Sequence, residues 1–178
     1  MNAESTKFNK GDCVMYKNSC VCRVEEIQNR SFTGIGERLF YNLRPVGDAR
    51  TVFYVPADSP DLDSIMRQIQ TPEEISEAIS QSEKTKNIWI DDVKSRAIRF
   101  GELVSYGSTA DVLWVGRALS DHRDAAQKEK RKLYASDARL LADAEKIITE
   151  EFSFALKLER DDVIPYIISL TRPQECAD

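Results

Sequence analysis

The chain has 178 residues, of which 42% are hydrophobic and 31% are charged, and this is enough for one or two small domains with buried cores. The composition argues against a disordered or fibrous protein. No run approaches the roughly 20 consecutive apolar residues that cross a bilayer, and the first residues lack the apolar centre of a signal peptide. We therefore expect a cytoplasmic protein that makes no membrane contact.

The charges argue against strong unaided binding to DNA. The chain carries 25 Lys and Arg against 30 Asp and Glu, a net charge of −5, and no segment of domain size is basic. Proteins that grip duplex DNA alone usually neutralise several phosphates with a clustered positive face. Any contact with nucleic acid would therefore need a second partner.

Cysteine and histidine give no sign of a metal site or a disulfide framework. Cys13, Cys20 and Cys22 are crowded together, while Cys176 lies in the tail. Cys20 and Cys22 would share one face of a strand, without the further Cys or His ligands that tetrahedral zinc requires. The only histidine, His122, sits among charged residues and is predicted to be a solvated surface residue.

The first third of the chain has the pattern of β-strands. Alternating, β-branched or aromatic runs are separated by turn signals at residues 17–19, 33–36 and 47–48. We predict four or five antiparallel strands in a small, strongly bent sheet, ending at Pro56 to Pro60. The predicted strands are Cys13 to Tyr16, Val21 to Ile27, Leu39 to Leu43 and Thr51 to Val55.

Beyond residue 70 the apolar period changes from two to about 3.6, which predicts helices. A helix is predicted to begin after Thr71, its N-cap, with Pro72 as its first residue, and to run to about Ser82. Four further helices are predicted, as a bundle. The first stops near Tyr106 and Gly107, the second is capped by Ser108 or Thr109, the third begins near Ser136, and the last runs from Val163 to Leu170 with Pro165 in its first turn.

The predicted fold is therefore α+β: a small bent antiparallel sheet followed by an all-α helical bundle. We place the sheet domain at residues 1–60, a connecting helix and linker at 61–88, and the helical domain at 89–172.

Several segments, in this order, resemble the CarD/CdnL family of bacterial transcription regulators. The opening FNKGDCVMY (8–16), then VCRV (21–24), is similar to that family's first hairpin, and Val55-Pro56 ends the sheet as in the family. Trp89, residues 137–147 and residues 150–156 resemble the family's helical domain. The sheet also resembles the RNA polymerase-interacting domain of transcription-repair coupling factors.

The resemblance implies a Tudor-like half-barrel that docks on the RNA polymerase β subunit and a helical domain that touches promoter DNA near the upstream edge of the bubble. It implies no catalytic activity and no cofactor. Arg30 matches an arginine that helps the family to dock on polymerase. Tyr54 stands where the family has a second, basic docking residue.

The resemblance also implies a role for Trp89, which matches a tryptophan used as a wedge at the bubble edge. Here Asp91 and Asp92 stand where basic residues follow that tryptophan in the better-known pattern. Basic residues elsewhere could compensate. Arg99 is a further cation on the helix that carries Lys94 and Arg96. The predicted DNA-binding residues are Trp89, Lys94, Arg96, Lys128, Lys130, Arg131, Lys132 and Arg139.

Ordinary structural roles compete with each assignment. Trp89 lies close to its helix's apolar stripe and could fill the core. Arg30 could be a solvated strand-end arginine, and the run 128–132 could be only an exposed helix end. Trp114 is predicted to be a core residue.

Three functions remain open at this stage. The first is a polymerase-bound regulator whose sheet edge pairs with an exposed strand of the β subunit. The second is a protein-only adaptor whose helical bundle never touches DNA, as Asp91 and Asp92 suggest. The third is a ligand-binding sheet with an aromatic cage of Tyr16, Phe40, Tyr41 and Tyr54. No carboxylate pair directed from a buried seam and no complete phosphate loop supports an enzyme.

Overall fold

The computed structural model describes residues 6–34 and 36–171. The chain divides after Ile69 into an N-terminal sheet unit and a C-terminal helical unit. The predicted α+β class is therefore confirmed. Cys176, and Ile35 in the predicted turn 33–36, lie outside the described residues. No helix in the described ranges is both long and apolar enough to span a membrane.

In its described residues, 6–34 and 36–69, the sheet unit is built on five antiparallel strands in the order β4-β3-β2-β1-β5. The four predicted strands are all present, and β2 and β3 extend further than the apolar pattern indicated. The elements are β1 (Cys13–Tyr16), β2 (Cys20–Phe32), β3 (Gly36–Pro45), β4 (Phe53–Pro56), the single helical turn α1 (Leu62–Ile65) and β5 (Met66–Gln68).

Local backbone features set the turns and the bend of the sheet. Lys17 and Asn18 both have positive φ, and Ser19 N–H donates to Tyr16 O at 2.9 Å, the geometry of a two-residue turn that suits the twist of a hairpin. A register shift between Val24 and Glu26 interrupts the β2–β3 ladder. Such a bulge bends its strand and increases the local twist.

The core of the sheet unit lies on one face of the sheet. It is closed at the front by Phe8, which is 1% exposed and whose N–H donates to the Tyr41 hydroxyl at 3.3 Å. The buried members of this core are Phe8, Val14, Cys22, Val24, Tyr41, Leu43, Val55, Leu62 and Met66.

The sheet continues past the predicted end at Pro56 to Pro60. Met66, Arg67 and Gln68 pair with β1 as an edge strand, and Met66 is buried in the core. A three-residue strand directly after a helical turn has too short a pattern for sequence periodicity to detect. The unit thus ends at Ile69, not at residue 60 as predicted.

Up to residue 171, where the described part of the chain ends, the helical unit contains five helices: α2 (Pro72–Ser82), α3 (Val93–Tyr106), α4 (Thr109–Lys128), α5 (Ala135–Leu156) and α6 (Arg160–Thr171). Predicted caps are confirmed at Thr71 and Ser108, each in a reciprocal capping box. The predicted glycine stop is Gly107, where a Cβ would lie 2.4 Å from Leu103 O. Any other residue there would displace the end of α3.

Two helical details differ from the sequence prediction. Helix α2, assigned to a connecting segment, packs into the core of the helical unit through Ile75, Ala78 and Ile79. Helix α6 begins at Arg160 instead of Val163. Pro165 therefore lies within the helix and not in its first turn, and it removes one backbone N–H from the helical ladder.

Replacing Met66 by alanine tests whether β5 belongs to the sheet core. Met66→Ala leaves a cavity in that core, so we expect the free energy of unfolding of the sheet unit to fall by about 2–5 kcal/mol. Amide hydrogen exchange of β1 and β2 measures the loss. The exposed Gln68 is the control on the same strand, and Gln68→Ala should change stability by less than about 0.5 kcal/mol. Equal effects of the two variants would contradict the packing.

Candidate functional site

The two predicted polymerase-docking residues, Arg30 and Tyr54, lie together on the sheet. The Arg30 guanidinium carbon is 4.6 Å from the centroid of the Tyr54 ring, a cation–π distance. Phe32 extends this group, with its ring centroid 5.6 Å from that of Tyr54. We call Arg30, Phe32 and Tyr54 the edge patch.

The positive charge of Arg30 has no ion-pair partner among the described residues. Arg30 is half-buried, and its Nε is shielded from solvent without a hydrogen-bond acceptor. Across residues 6–34 and 36–171 no carboxylate forms an ion pair with it, whereas the neighbouring Arg38 lies 3.8 Å from Asp58. A buried donor without an acceptor is costly, so an acceptor from a partner would be favoured here.

The edge patch borders a strand with free backbone groups. β4 is an edge strand, and Ala57 N–H donates to Leu39 O at 2.8 Å. Because backbone groups alternate along a strand, Phe53 and Val55 also bond to β3, and Tyr54 directs its N–H and C=O outward. Tyr54 therefore presents both a backbone pair to the open edge and an aromatic ring to the patch.

The aromatic-cage hypothesis is wrong in this fold. Tyr41 pairs opposite Val55, while Tyr54 pairs opposite the next residue, Asn42. Adjacent positions on a strand face opposite sides of the sheet. Tyr16 and Tyr41 belong to the core face, whereas Phe40 and Tyr54 both flank Phe32, so the four rings do not converge.

In the helical unit, Trp89 is half-buried and closely surrounded. Its ring lies 4.4 Å from the His122 ring at an interplanar angle of 30°, and 5.8 Å from Phe100 in an edge contact. The Arg96 guanidinium carbon is 4.5 Å from the Trp89 centroid. We call Trp89, Arg96, Phe100, His122 and Asp137 the indole cluster.

A buried ion pair supports the indole cluster. Arg96 is 2% exposed and Asp137 is fully buried. Arg96 Nε donates to Asp137 Oδ1 at 3.1 Å, and Nη2 donates to Oδ2 at 2.6 Å. Nη1 donates to the carbonyls of Ile90 at 2.6 Å and Asp91 at 3.0 Å. One arginine thus fixes the segment after Trp89 to both α3 and α5.

Two sequence predictions need correction at this cluster. Arg96 was a candidate DNA contact, but its guanidinium is buried and bound on both sides, so it cannot reach a phosphate in this structure. His122 was predicted to be a solvated surface residue, yet it is half-buried against Trp89. Both errors have one cause, since these contacts join residues distant in sequence.

Four of the remaining predicted DNA-binding residues lie at the connection between α4 and α5. α4 ends at Lys128, about 9 Å along the helix from His122, and α5 begins at Ala135, just before Asp137. The connection, residues 128–134, is here called the basic loop. Its cations Lys128, Lys130, Arg131 and Lys132 are all exposed, and Arg131 pairs with Glu129. The two helices that the loop connects each carry one member of the indole cluster, His122 on α4 and Asp137 on α5.

Lys94 and Arg139 are exposed on the same two elements that hold the ion pair. Lys94 is in the first turn of α3. Arg139 lies one turn into α5 with its side chain 86% exposed, 3.9 Å from Asp143. The structure places both side chains in solvent.

Asp92, which the sequence suggested would repel DNA, has a structural role. It is the N-cap of α3, and Ser95 N–H donates to its Oδ2 at 2.8 Å. Hydrogen bonds from Ser95 lower the pKa of Asp92 below its usual value. The carboxylate therefore stabilises the helix at neutral pH, and this contribution is lost as the pH falls through the lowered pKa.

Sequence reasoning also missed two buried carboxylates on α5. Asp137 and Glu151 are 0% and 1% exposed. Both therefore lie on the buried face of the helix. Asp137 binds Arg96, and Glu151 accepts from Gln70 N–H at 3.1 Å. Their spacing along α5 is about 21 Å, so they cannot act on one substrate together.

Breaking the buried ion pair tests its structural role. Asp137→Asn leaves the Arg96 charge buried without its partner, so we expect the helical unit to lose about 3–5 kcal/mol of stability. Urea unfolding followed by fluorescence of Trp89 and Trp114 reports this unit alone. The double variant Arg96→Met, Asp137→Leu should be less destabilised than Asp137→Asn, because no unpaired charge remains.

The matched control is Asp143→Asn, on the exposed side of the same helix, which should shift stability by less than about 0.5 kcal/mol. A loss at Asp137 no greater than at Asp143 would contradict the assignment.

Comparison with known proteins identifies the sheet unit. No curated protein matches the chain. Residues 8–70 match the family model described as the CarD-like/TRCF RID domain, a segment that begins at the buried Phe8 and ends where the helical unit starts. The resemblance inferred from the sequence is thereby confirmed for the sheet unit: it is a CarD-like/TRCF RID domain, an RNA polymerase-interacting domain.

Proposed function

We propose that this chain is a non-catalytic cytoplasmic transcription regulator that docks on the RNA polymerase β subunit through its sheet unit. Its helical unit then alters the stability of the promoter open complex by touching DNA near the upstream edge of the bubble.

The observation that carries the docking proposal is the coincidence of an open strand edge with an unpaired arginine. The outward N–H and C=O of Tyr54 can extend a strand of a partner, which supplies backbone hydrogen bonds without many charges. Arg30 lies against the same tyrosine and has no carboxylate partner within the described residues. A partner strand carrying an acceptor beside it would satisfy both groups.

Substitutions in the edge patch test the docking surface. Arginine and tyrosine side chains often contribute a large share of the binding energy at protein interfaces. We therefore expect Arg30→Ala or Tyr54→Ala to weaken the affinity of the full chain for the isolated β subunit by about tenfold. Tyr54→Pro also removes the outward N–H donor and should weaken binding further than Tyr54→Ala does.

Tyr106 provides the control, because it is 87% exposed in the helical unit and its removal should leave the affinity unchanged. Binding of the Arg30 and Tyr54 variants at wild-type strength would contradict docking through this edge.

The DNA proposal rests on the basic loop. A net charge of −5 gives the protein little affinity for free DNA, but docking on polymerase makes the second contact effectively intramolecular. Three or four exposed cations are then sufficient to bias an equilibrium between closed and open promoter.

Charge reversal in the basic loop tests the DNA contact. We expect the full chain alone to bind a promoter duplex poorly at physiological salt, yet to change the lifetime of the open complex formed by polymerase. Lys130→Glu with Lys132→Glu should abolish that change, because both cations then repel phosphates. Lifetimes are measured by competitor challenge of preformed complexes. The control, Lys146→Glu with Lys157→Glu, reverses two exposed charges, one on α5 and one at its C-cap, and should behave as wild type.

A protein-only adaptor is the second candidate function. It is favoured by the packing of Trp89, by the burial of Arg96 and by the exposed Asp91. This function predicts that the loop reversals leave the open-complex lifetime unchanged while polymerase binding persists. Tight, salt-resistant binding of the chain alone to duplex DNA would contradict both candidates.

A further inference from the structure

The Trp89 ring already packs against other side chains of the helical unit. His122 stacks on its ring and the Arg96 guanidinium lies against it, while Phe100 contacts it in an edge arrangement. A base could stack on Trp89 only after displacing one of these groups. Displacing Arg96 would break the buried pair with Asp137.

Tyr134, unlike Trp89, has an exposed and uncovered ring. It is 57% exposed and follows Lys130, Arg131 and Lys132 in the basic loop. As the N-cap residue of α5 it makes no side-chain capping bond. Its ring takes part in none of the aromatic or cation–π contacts that the structure shows within the described residues, so at least one face is open to a ligand.

The backbone around Tyr134 is firmly held although its side chain is exposed. Tyr134 O accepts from Ala138 N–H at 3.0 Å, and Arg131 N–H donates to Ala126 O at 2.8 Å. Leu133 packs against the helical core, and Asp137, one turn further on, binds Arg96. The ring is thus presented from a rigid support.

We propose that Tyr134 contacts nucleic acid by stacking on an unpaired base of melted DNA, while Lys130 and Lys132 contact the flanking phosphates. This inference deepens the proposed function and rests on it. An open aromatic face beside cations is the combination by which proteins bind single strands, because every base has a π face and every nucleotide a phosphate. The charge of the loop is complementary to that ligand.

The test measures the affinity of the full chain for two targets. One is polymerase alone, and the other is polymerase bound to a promoter with a premelted bubble. We expect Tyr134→Ala to weaken affinity for the bubble complex at least about fivefold, as loss of one base–aromatic stack implies, with affinity for polymerase alone unchanged. Tyr134→Phe keeps the ring and should stay within about twofold of wild type.

Tyr106→Ala is the matched control, since this tyrosine is also exposed on the helical unit but lies far from the basic loop in sequence. If Tyr134→Ala binds the bubble complex as well as Tyr106→Ala does, the inference is wrong. If Tyr134→Ala weakens binding to polymerase alone, the ring contacts protein, which also overturns it. Failure of the wild-type chain to bind polymerase at all would instead refute the underlying proposed function, and the inference with it.

Discussion

The buried pair between Arg96 and Asp137 is the interaction on which the helical unit depends. It joins α3 to α5 across 41 residues of sequence, and the same guanidinium binds the carbonyls of Ile90 and Asp91. Removing two charges from water is costly unless the geometry satisfies them, and here both carboxylate oxygens and three guanidinium nitrogens are used. The pair therefore fixes a segment that lacks regular secondary structure. The same guanidinium also packs against the Trp89 ring.

The two units offer different chemistry to a partner. The sheet unit offers an open backbone edge beside a cation–π pair, which suits recognition by strand addition and needs little net charge. The helical unit concentrates cations in one connection between helices, although the chain as a whole is acidic. Weak contacts of this kind become effective only when a first contact raises the local concentration. The proposed function therefore does not require this acidic protein to bind DNA strongly on its own.

Local signals made much of the fold predictable, and non-local contacts account for most of what was missed. The strand runs, the caps at Thr71 and Ser108 and the stop at Gly107 depend on a few neighbouring residues, so their pattern is visible in the sequence. β5 is too short for periodicity to reveal. The role of Arg96 had one available signal, because it lies three residues after Val93 and four before Phe100, on the apolar stripe. Asp137 likewise lies four residues before Leu141 on its seam, and a charged residue in each of two seams suggests a buried pair.

Only part of the candidate site could be predicted from the sequence. The match to a family pattern selected Arg30 and Tyr54 one by one, whereas their mutual contact follows from strand register and was not predicted. The structure of the full chain bound to a polymerase–promoter open complex, determined by electron cryo-microscopy, tests the central claim most directly. The account predicts that a strand of the β subunit continues the sheet beside β4, with hydrogen bonds to the Tyr54 backbone. An unoccupied β4 edge in a complex that holds the chain elsewhere would contradict it.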